Sequence, residues 1–345
     1  MIDGGAGTGD AVVGLRPPHA HTEGLCMFCP GPVMTSPGVR RAASGADYCH
    51  RDREFERALA STRTRLLSMA DAPGYEALLL AGSGTGALEA TLSTFLSADE
   101  TLLVASNGAF GERLAEIATV LGIPCRHLRH DWGQAFVADD VGRELARNRS
   151  ITAVAVVHHE TSVGRLNPVD EIGQTVEKHG RRFIVDAISS LGAERFSARS
   201  AHADAVISTP NKCIHGISGL SFVLVDPGMW SIGDGVRPRS MYLDLRRYRQ
   251  EVCGRQTPFT PAVQGVLALD RALEELEAEG GPAERRSAYV RRRDRIEAAL
   301  PALGMRSHDA TAPASSSTMV VRVPADWTAV ALRDALRDRG YPVSY

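Results

Sequence analysis

The chain has 345 residues, a formal net charge of −2 and 23% charged residues. That length buries a sizeable core, as one large domain with a smaller one or as two comparable domains. The near-balanced charge excludes an electrostatic nucleic-acid binder and an acidic tail.

Residues 1–24 are rich in Gly, Pro and His without periodicity and read as a flexible N-terminal arm. They carry no basic stretch followed by an apolar one, as a signal peptide would. No apolar run in the chain reaches the roughly 18–20 residues of a membrane span. Six scattered cysteines fit a reduced compartment better than a disulfide framework. The expectation is a cytoplasmic protein that binds neither membrane nor nucleic acid. Cys26 and Cys29 form a C-x-x-C pair beside Pro30-Gly31-Pro32. With no second pair and no suitable histidine spacing, no metal site is expected there.

From about 50 to 230, short apolar runs alternate with amphipathic stretches. "EALLLAG" (76–82), "TLLVASNG" (101–108), "TAVAVVHHE" (152–160), "RRFIVDAIS" (181–189), "DAVIST" (204–209) and "LSFVLVD" (220–226) read as buried strands. Between them, 86–96, 111–121 and 137–148 have helical periodicity. This βαβ alternation predicts an α/β fold with a mostly parallel sheet and helices on both faces. After 260 the pattern changes to two long helices over 262–281 and 283–300, a strand over 317–324 and a helix over 328–340. The predicted organisation is therefore an arm (1–24), a large domain (25–260) and a smaller α+β domain (261–345).

In open α/β sheets ligands sit at the carboxyl ends of strands. The run at 76–82 leads into "GSGTGALEA", a glycine-rich turn opening a helix, where N–H groups and the helix dipole converge on an anion. The loop lacks the Gly-Lys-Ser/Thr of a Walker A motif, and Gly82, Gly84 and Ala87 also match a dinucleotide fingerprint. Such turns occur for packing alone as well. The run at 181–189 contains Asp186, a carboxylate interrupting apolar residues, which needs a partner: a helix cap, an arginine or a buried ring nitrogen.

Lys212 follows the next strand. Only two of the 39 basic residues are lysine, Lys178 and Lys212. A strand-end lysine is commonly just solvated. A phosphate cradle, a strand-end aspartate and a strand-end lysine, in that order, are what pyridoxal 5′-phosphate needs. Arginine stays protonated and cannot form the imine that a lysine with a lowered pKa can. The dinucleotide alternative gives Lys212 no task and expects an acid where Ser106-Asn107-Gly108 ends the second strand.

"FCPGPVMTSPGVRRA", "CHRDREF", "GSGTGALEA", "NGAFGERL", "HHETSVGRLNPV", "VDAISSLGA", "STPNKCIHGISGLSFVLV" and "PFTPAVQGVLALDRAL" follow one another in order. In these segments the chain resembles the fold-type I, class V aminotransferases, most of all their 2-aminoethylphosphonate–pyruvate branch. The resemblance implies Lys212 as the cofactor-binding lysine, Asp186 as the pyridinium partner and Phe110 as the ring stacked on the cofactor. Ser83, Gly84 and Thr85 would bind the phosphate, and Thr161 would lie near the phenolic oxygen. Asn211 and Thr260 would also lie near the phosphate, Thr260 reaching in from the neighbouring subunit of a homodimer.

The implied reaction is transfer of an amino group from a small amino donor to a 2-oxo acid. Cys29 stands where the family has a small polar residue. The family's small domain also has a further strand, bearing a carboxylate-binding arginine, and a last helix, both of which would lie beyond 345. These departures leave two alternatives open: a cofactor-dependent enzyme acting on another small amine, and a non-catalytic relative that keeps the cofactor site.

Overall fold

The computed structural model describes residues 25–253, 256–308 and 311–344; the arm expected over 1–24 lies outside them. Seven strands form the main sheet: β1 (Glu76–Ala81), β2 (Thr101–Ser106), β3 (Cys125–Arg129), β4 (Ile151–Val157), β5 (Arg182–Asp186), β6 (Ala205–Ser208) and β7 (Leu220–Val225). Their spatial order is β1-β7-β6-β5-β4-β2-β3. Strand β7 runs antiparallel to β1 and β6, and the remaining pairs are parallel. The fold is the mostly parallel α/β sheet read from the chain.

Continuous apolar runs form these strands because both faces of the sheet are covered. Alternate residues feed two cores. Leu79, Leu103, Val154, Phe183 and Phe222 join one, whereas Leu78, Leu102, Ala153, Ile184 and Val223 join the other. Helix α1 is Pro37–Ala43 and α2 is Arg53–Met69. Helices α3 (Gly84–Phe95) and α4 (Ala109–Val120) pack on the second core, and α5 (Ala138–Arg147) and α6 (Val169–Lys178) on the first. Next, α7 (Met229–Gly233) and α8 (Leu245–Cys253) cover the second core, and α9 (Val263–Ala278) lays its apolar face on the first, beside α1 and α2. Helices α10 (Gly281–Ala299) and α11 (Ala329–Asp338) follow.

Two elements differ from the expectation. Strand β3, "CRHLR", has no residue that counts as buried, so its polar edge-strand sequence carries no apolar run. The strand expected over 317–324 shrinks to Val321–Arg322, paired with Arg306–Ser307. Upstream of it, Thr318 N–H donates to Ser315 Oγ (3.0 Å) and Ser316 N–H to Glu194 (2.6 Å). These side-chain acceptors compete with a ladder for the backbone donors.

Strand β5 is anchored at its foot by Arg182, only 9% exposed. Its guanidinium donates to the Phe95 carbonyl at the end of α3 (2.5 Å), to Thr152 Oγ1 (2.9 Å) and to the Glu100 carboxylate. One side chain thus satisfies an orphan helix carbonyl and a partly buried acid. Arg182→Met leaves the Phe95 carbonyl without its donor and Glu100 with only the Ser97 N–H, and urea unfolding is expected to show a loss of roughly 1–3 kcal/mol.

Candidate active site

The carboxyl ends of β1, β4, β5 and β6 and the loop entering β7 surround one cavity of about 210 Å³, lined by Ser83, Gly84, Thr85, Phe110, Asp186 and Lys212 among others. Each position follows from its local chain. Strand β1 ends at Ala81, and Ser83 caps α3, its Oγ accepting from Gly86 N–H (3.4 Å). The first N–H groups of α3, at Gly84 and Thr85, have no intrahelical acceptor, which makes this turn an anion cradle. Phe110 stands in the first turn of α4. Asp186 is the last residue of β5, and Asn211 and Lys212 follow β6, where Pro210 ends regular pairing.

The electrostatics are dominated by burial. The Asp186 carboxylate is 5% exposed and accepts one backbone hydrogen bond, from Ile188 N–H (2.9 Å). Desolvation pushes its pKa up to about 7 from 3.8, against the pull of that hydrogen bond and with a further push from the Glu160 charge; the cations of Lys212 and Arg113 hold it down. Desolvation also lowers the Lys212 pKa below the ordinary lysine value, only partly opposed by Asp186. The amine is therefore nearer to its neutral, nucleophilic form than a solvated lysine. The Arg113 guanidinium stands over the Phe110 ring, 5.0 Å from its centroid.

Gly31, in the Pro-Gly-Pro segment, lies against the aliphatic end of Lys212. A Cβ there would run into Lys212 Cδ and come within 2.6 Å of Nζ. Val33 N–H donates to the Asn211 carbonyl (3.1 Å), fixing this segment over the lysine loop. On its other side Phe28 N–H donates to the Pro342 carbonyl (2.8 Å), and the Cys29 thiol lies 3.6 Å from the same oxygen.

Two expected residues stand apart from the cavity lining. Thr161 is buried at 7% exposure in the loop after β4, and Thr260 is exposed, beside a small cleft with Tyr242, Tyr248 and Phe259. Conversely, Arg113, Ser189 and Thr209 line the cavity without having been singled out, and His159, a strand-end histidine by sequence, lines it with them. Thr209 is 3% exposed and its hydroxyl has no partner among the described residues, a buried polar atom open to a ligand. Its place three residues before Lys212 was the available signal. His159 places Nδ1 2.9 Å from the Ser189 carbonyl, so that nitrogen carries the proton.

The donor set fits pyridoxal 5′-phosphate: an N-terminal helix turn and a free hydroxyl for a phosphate, a buried carboxylate for a ring nitrogen, an aromatic face and a desolvated amine. The family model described as aminotransferase class-V matches residues 41–340. A 2-aminoethylphosphonate–pyruvate transaminase of Syntrophobacter fumaroxidans is 41% identical over 283 residues, 81% of this chain and 75% of that protein. One from Pseudomonas aeruginosa is 38% identical over 285 residues, 81% of this chain and 76% of its own. Among solved structures, pyridoxamine–pyruvate aminotransferase from Mesorhizobium loti superposes with a TM-score of 0.88 at 27% identity, over 95% of this chain and 84% of that one. Alanine–glyoxylate aminotransferase from Nostoc sp. gives 0.89 at 22% identity, over 96% and 88%.

The folded protein holds the Asp186 proton up to about pH 7, whereas the unfolded chain releases it near 3.8. This group therefore lowers the stability of the cofactor-free protein as pH rises through that window, and its effect levels off above it. At pH 8, Asp186→Asn is expected to be more stable than wild type by roughly 2–4 kcal/mol in urea unfolding, while binding the cofactor more weakly. A variant less stable at pH 8 would contradict an unsatisfied carboxylate.

Proposed function

The chain belongs to the class-V aminotransferase family, and on that premise we propose that it transfers the amino group of 2-aminoethylphosphonate to pyruvate. It is an aminotransferase that uses pyridoxal 5′-phosphate. The observation that carries the substrate assignment is the run of relatives at 36–41% identity, over 76–81% of this chain, that bear this activity in their names.

Bound in the cavity, pyridoxal phosphate supplies an aldehyde carbon that takes up and releases the amino group, and a ring that draws electrons from the adjoining carbon. The rest falls to this chain's residues. Ser83, Gly84 and Thr85 hold the phosphate by N–H and hydroxyl donation, helped by Asn211 and by Thr260 of a second copy. Phe110 would cover one face of the ring, and the Thr161 hydroxyl, given to the phenolic oxygen by the family resemblance, would have to reach it from behind the cavity lining. Asp186, short of solvent and of partners, holds a proton at the ring nitrogen and satisfies its own charge by doing so. Lys212 Nζ would hold the cofactor through its aldehyde carbon and, freed when the donor's amine takes its place, would carry the proton from the carbon that bears the amino group to that cofactor carbon.

We read 25–260 as the large cofactor-binding domain and 261–345 as the smaller one, with α9 joining them. The exposed position of Thr260, near Tyr242 and the 65%-exposed Met241, suits a surface completed by a second copy in a homodimer. No helix among the described residues is long and apolar enough to cross a membrane, and we assign the protein to the cytoplasm.

Purified protein loaded with pyridoxal phosphate and given 2-aminoethylphosphonate should yield the pyridoxamine form, which pyruvate converts back with release of alanine. Lys212→Arg keeps the charge and loses the condensing amine. It is expected to lower turnover at least about a thousandfold, and borohydride reduction should no longer fix the cofactor to the chain. Full turnover in Lys212→Arg would refute the assignment of the lysine. Turnover with pyruvate and other small amines but not the phosphonate would refute the donor.

A further inference from the structure

Helix α4 begins at Ala109 with Gly108 as its cap, a residue with no side chain to satisfy the first N–H groups. Those donors are instead met by a loop some fifty residues later. Ala109 N–H donates to Ser162 Oγ (3.1 Å), Phe110 N–H lies 3.3 and 3.2 Å from the two oxygens of Glu160, and Gly111 N–H donates to Glu160 Oε2 (3.0 Å). Ser162 completes the arrangement by donating its N–H (3.3 Å) and its hydroxyl (2.5 Å) to Glu160 Oε1.

The Glu160 side chain is fully buried. Among the described residues it has no ion-pair partner, so its charge is held by these donors and by the positive end of α4. Gly108 is needed for the approach: a Cβ there would run into Glu160 Cγ and lie 2.6 Å from Cδ.

A cap for an ordinary helix comes from a local Ser, Thr, Asp or Asn. Here a buried carboxylate is brought across from the end of β4. The first of the two residues it clamps is Phe110, whose ring forms a wall of the cavity. The ring has few other constraints, since it is only partly buried and its described ring contact is the Arg113 guanidinium.

We propose that Glu160, supported by Ser162, is a positioning residue that sets Phe110 against the cofactor ring by clamping the backbone N–H groups of Phe110 and Gly111. The proposal rests on the reading of Phe110 as the stacking residue. Glu160 does not line the cavity; the positioning role runs through the α4 backbone, separate from the push of its charge on Asp186.

A double-mutant cycle on the full chain tests this, with Glu160→Ala and Phe110→Leu made singly and together and pyridoxal phosphate affinity as the readout. In the wild-type background Glu160→Ala should weaken binding about tenfold and change the visible circular dichroism of the bound cofactor. In the Phe110→Leu background the same change should weaken it less than about twofold. Hydrogen exchange of the Ala109–Gly111 amides in cofactor-free protein should quicken about tenfold or more in Glu160→Ala. Glu160→Gln, which keeps one acceptor and folds under the milder change, should fall between.

Equal losses in both backgrounds would overturn the proposal, since Glu160 would then act on the fold at large or through its charge on Asp186. Unchanged exchange would overturn the clamp itself. Wild type and Phe110→Leu binding the cofactor equally would instead remove the stacking role beneath the proposal, whatever the exchange shows.

Discussion

A carboxylate at the tip of a fully buried strand sets the terms for the rest of the molecule. Asp186 closes β5, the strand between β4 and β6, and its side chain has lost nearly all solvent while gaining one backbone hydrogen bond. Such a group is stable as a carboxylic acid or beside a proton-bearing partner, not as a bare ion. The sheet makes this arrangement possible by burying both its faces, so that β5 contributes Phe183 and Val185 to one core and Ile184 to the other. Arg182 ties the foot of the same strand to α3 and to Glu100.

Around that carboxylate the chain places groups of complementary need. Lys212 loses solvent in the same cavity and is driven toward its neutral form. Among the described residues, the α3 turn offers N–H donors without acceptors and Thr209 a hydroxyl without a partner. One ligand that brings a ring nitrogen, a phosphate and an aldehyde answers all of these together. That shared demand is the physical reason for a cofactor-specific site, and it explains why the protein without the cofactor is expected to be less stable than its core alone would allow.

Much of this was legible in the chain because the relevant signals are local. The strands flanking the cavity are short apolar runs, and Gly82 to Thr85, Asp186 and Lys212 each stand at the end of one. What escaped has a physical reason in each case. Strand β3 is a polar edge strand with no apolar run to betray it. The segment 317–320 carries β-branched residues, yet Ser315 takes up a backbone donor that pairing would have used. Glu160 looks like one polar residue in "HHETSVG"; its task depends on Gly108 and Phe110, fifty residues earlier, and no periodicity links them. Thr260 stands exposed on one copy of the chain, so the role given it by resemblance calls for a second.

The protonation of Asp186 in the cofactor-free protein is read directly by difference infrared spectroscopy over a pH titration, with Asp186→Asn to assign the band. The predicted result is a protonated carboxyl band that persists to about pH 7 and disappears when pyridoxal phosphate binds. A band lost near pH 4, as for a solvated aspartate, or one unaffected by the cofactor, would contradict it.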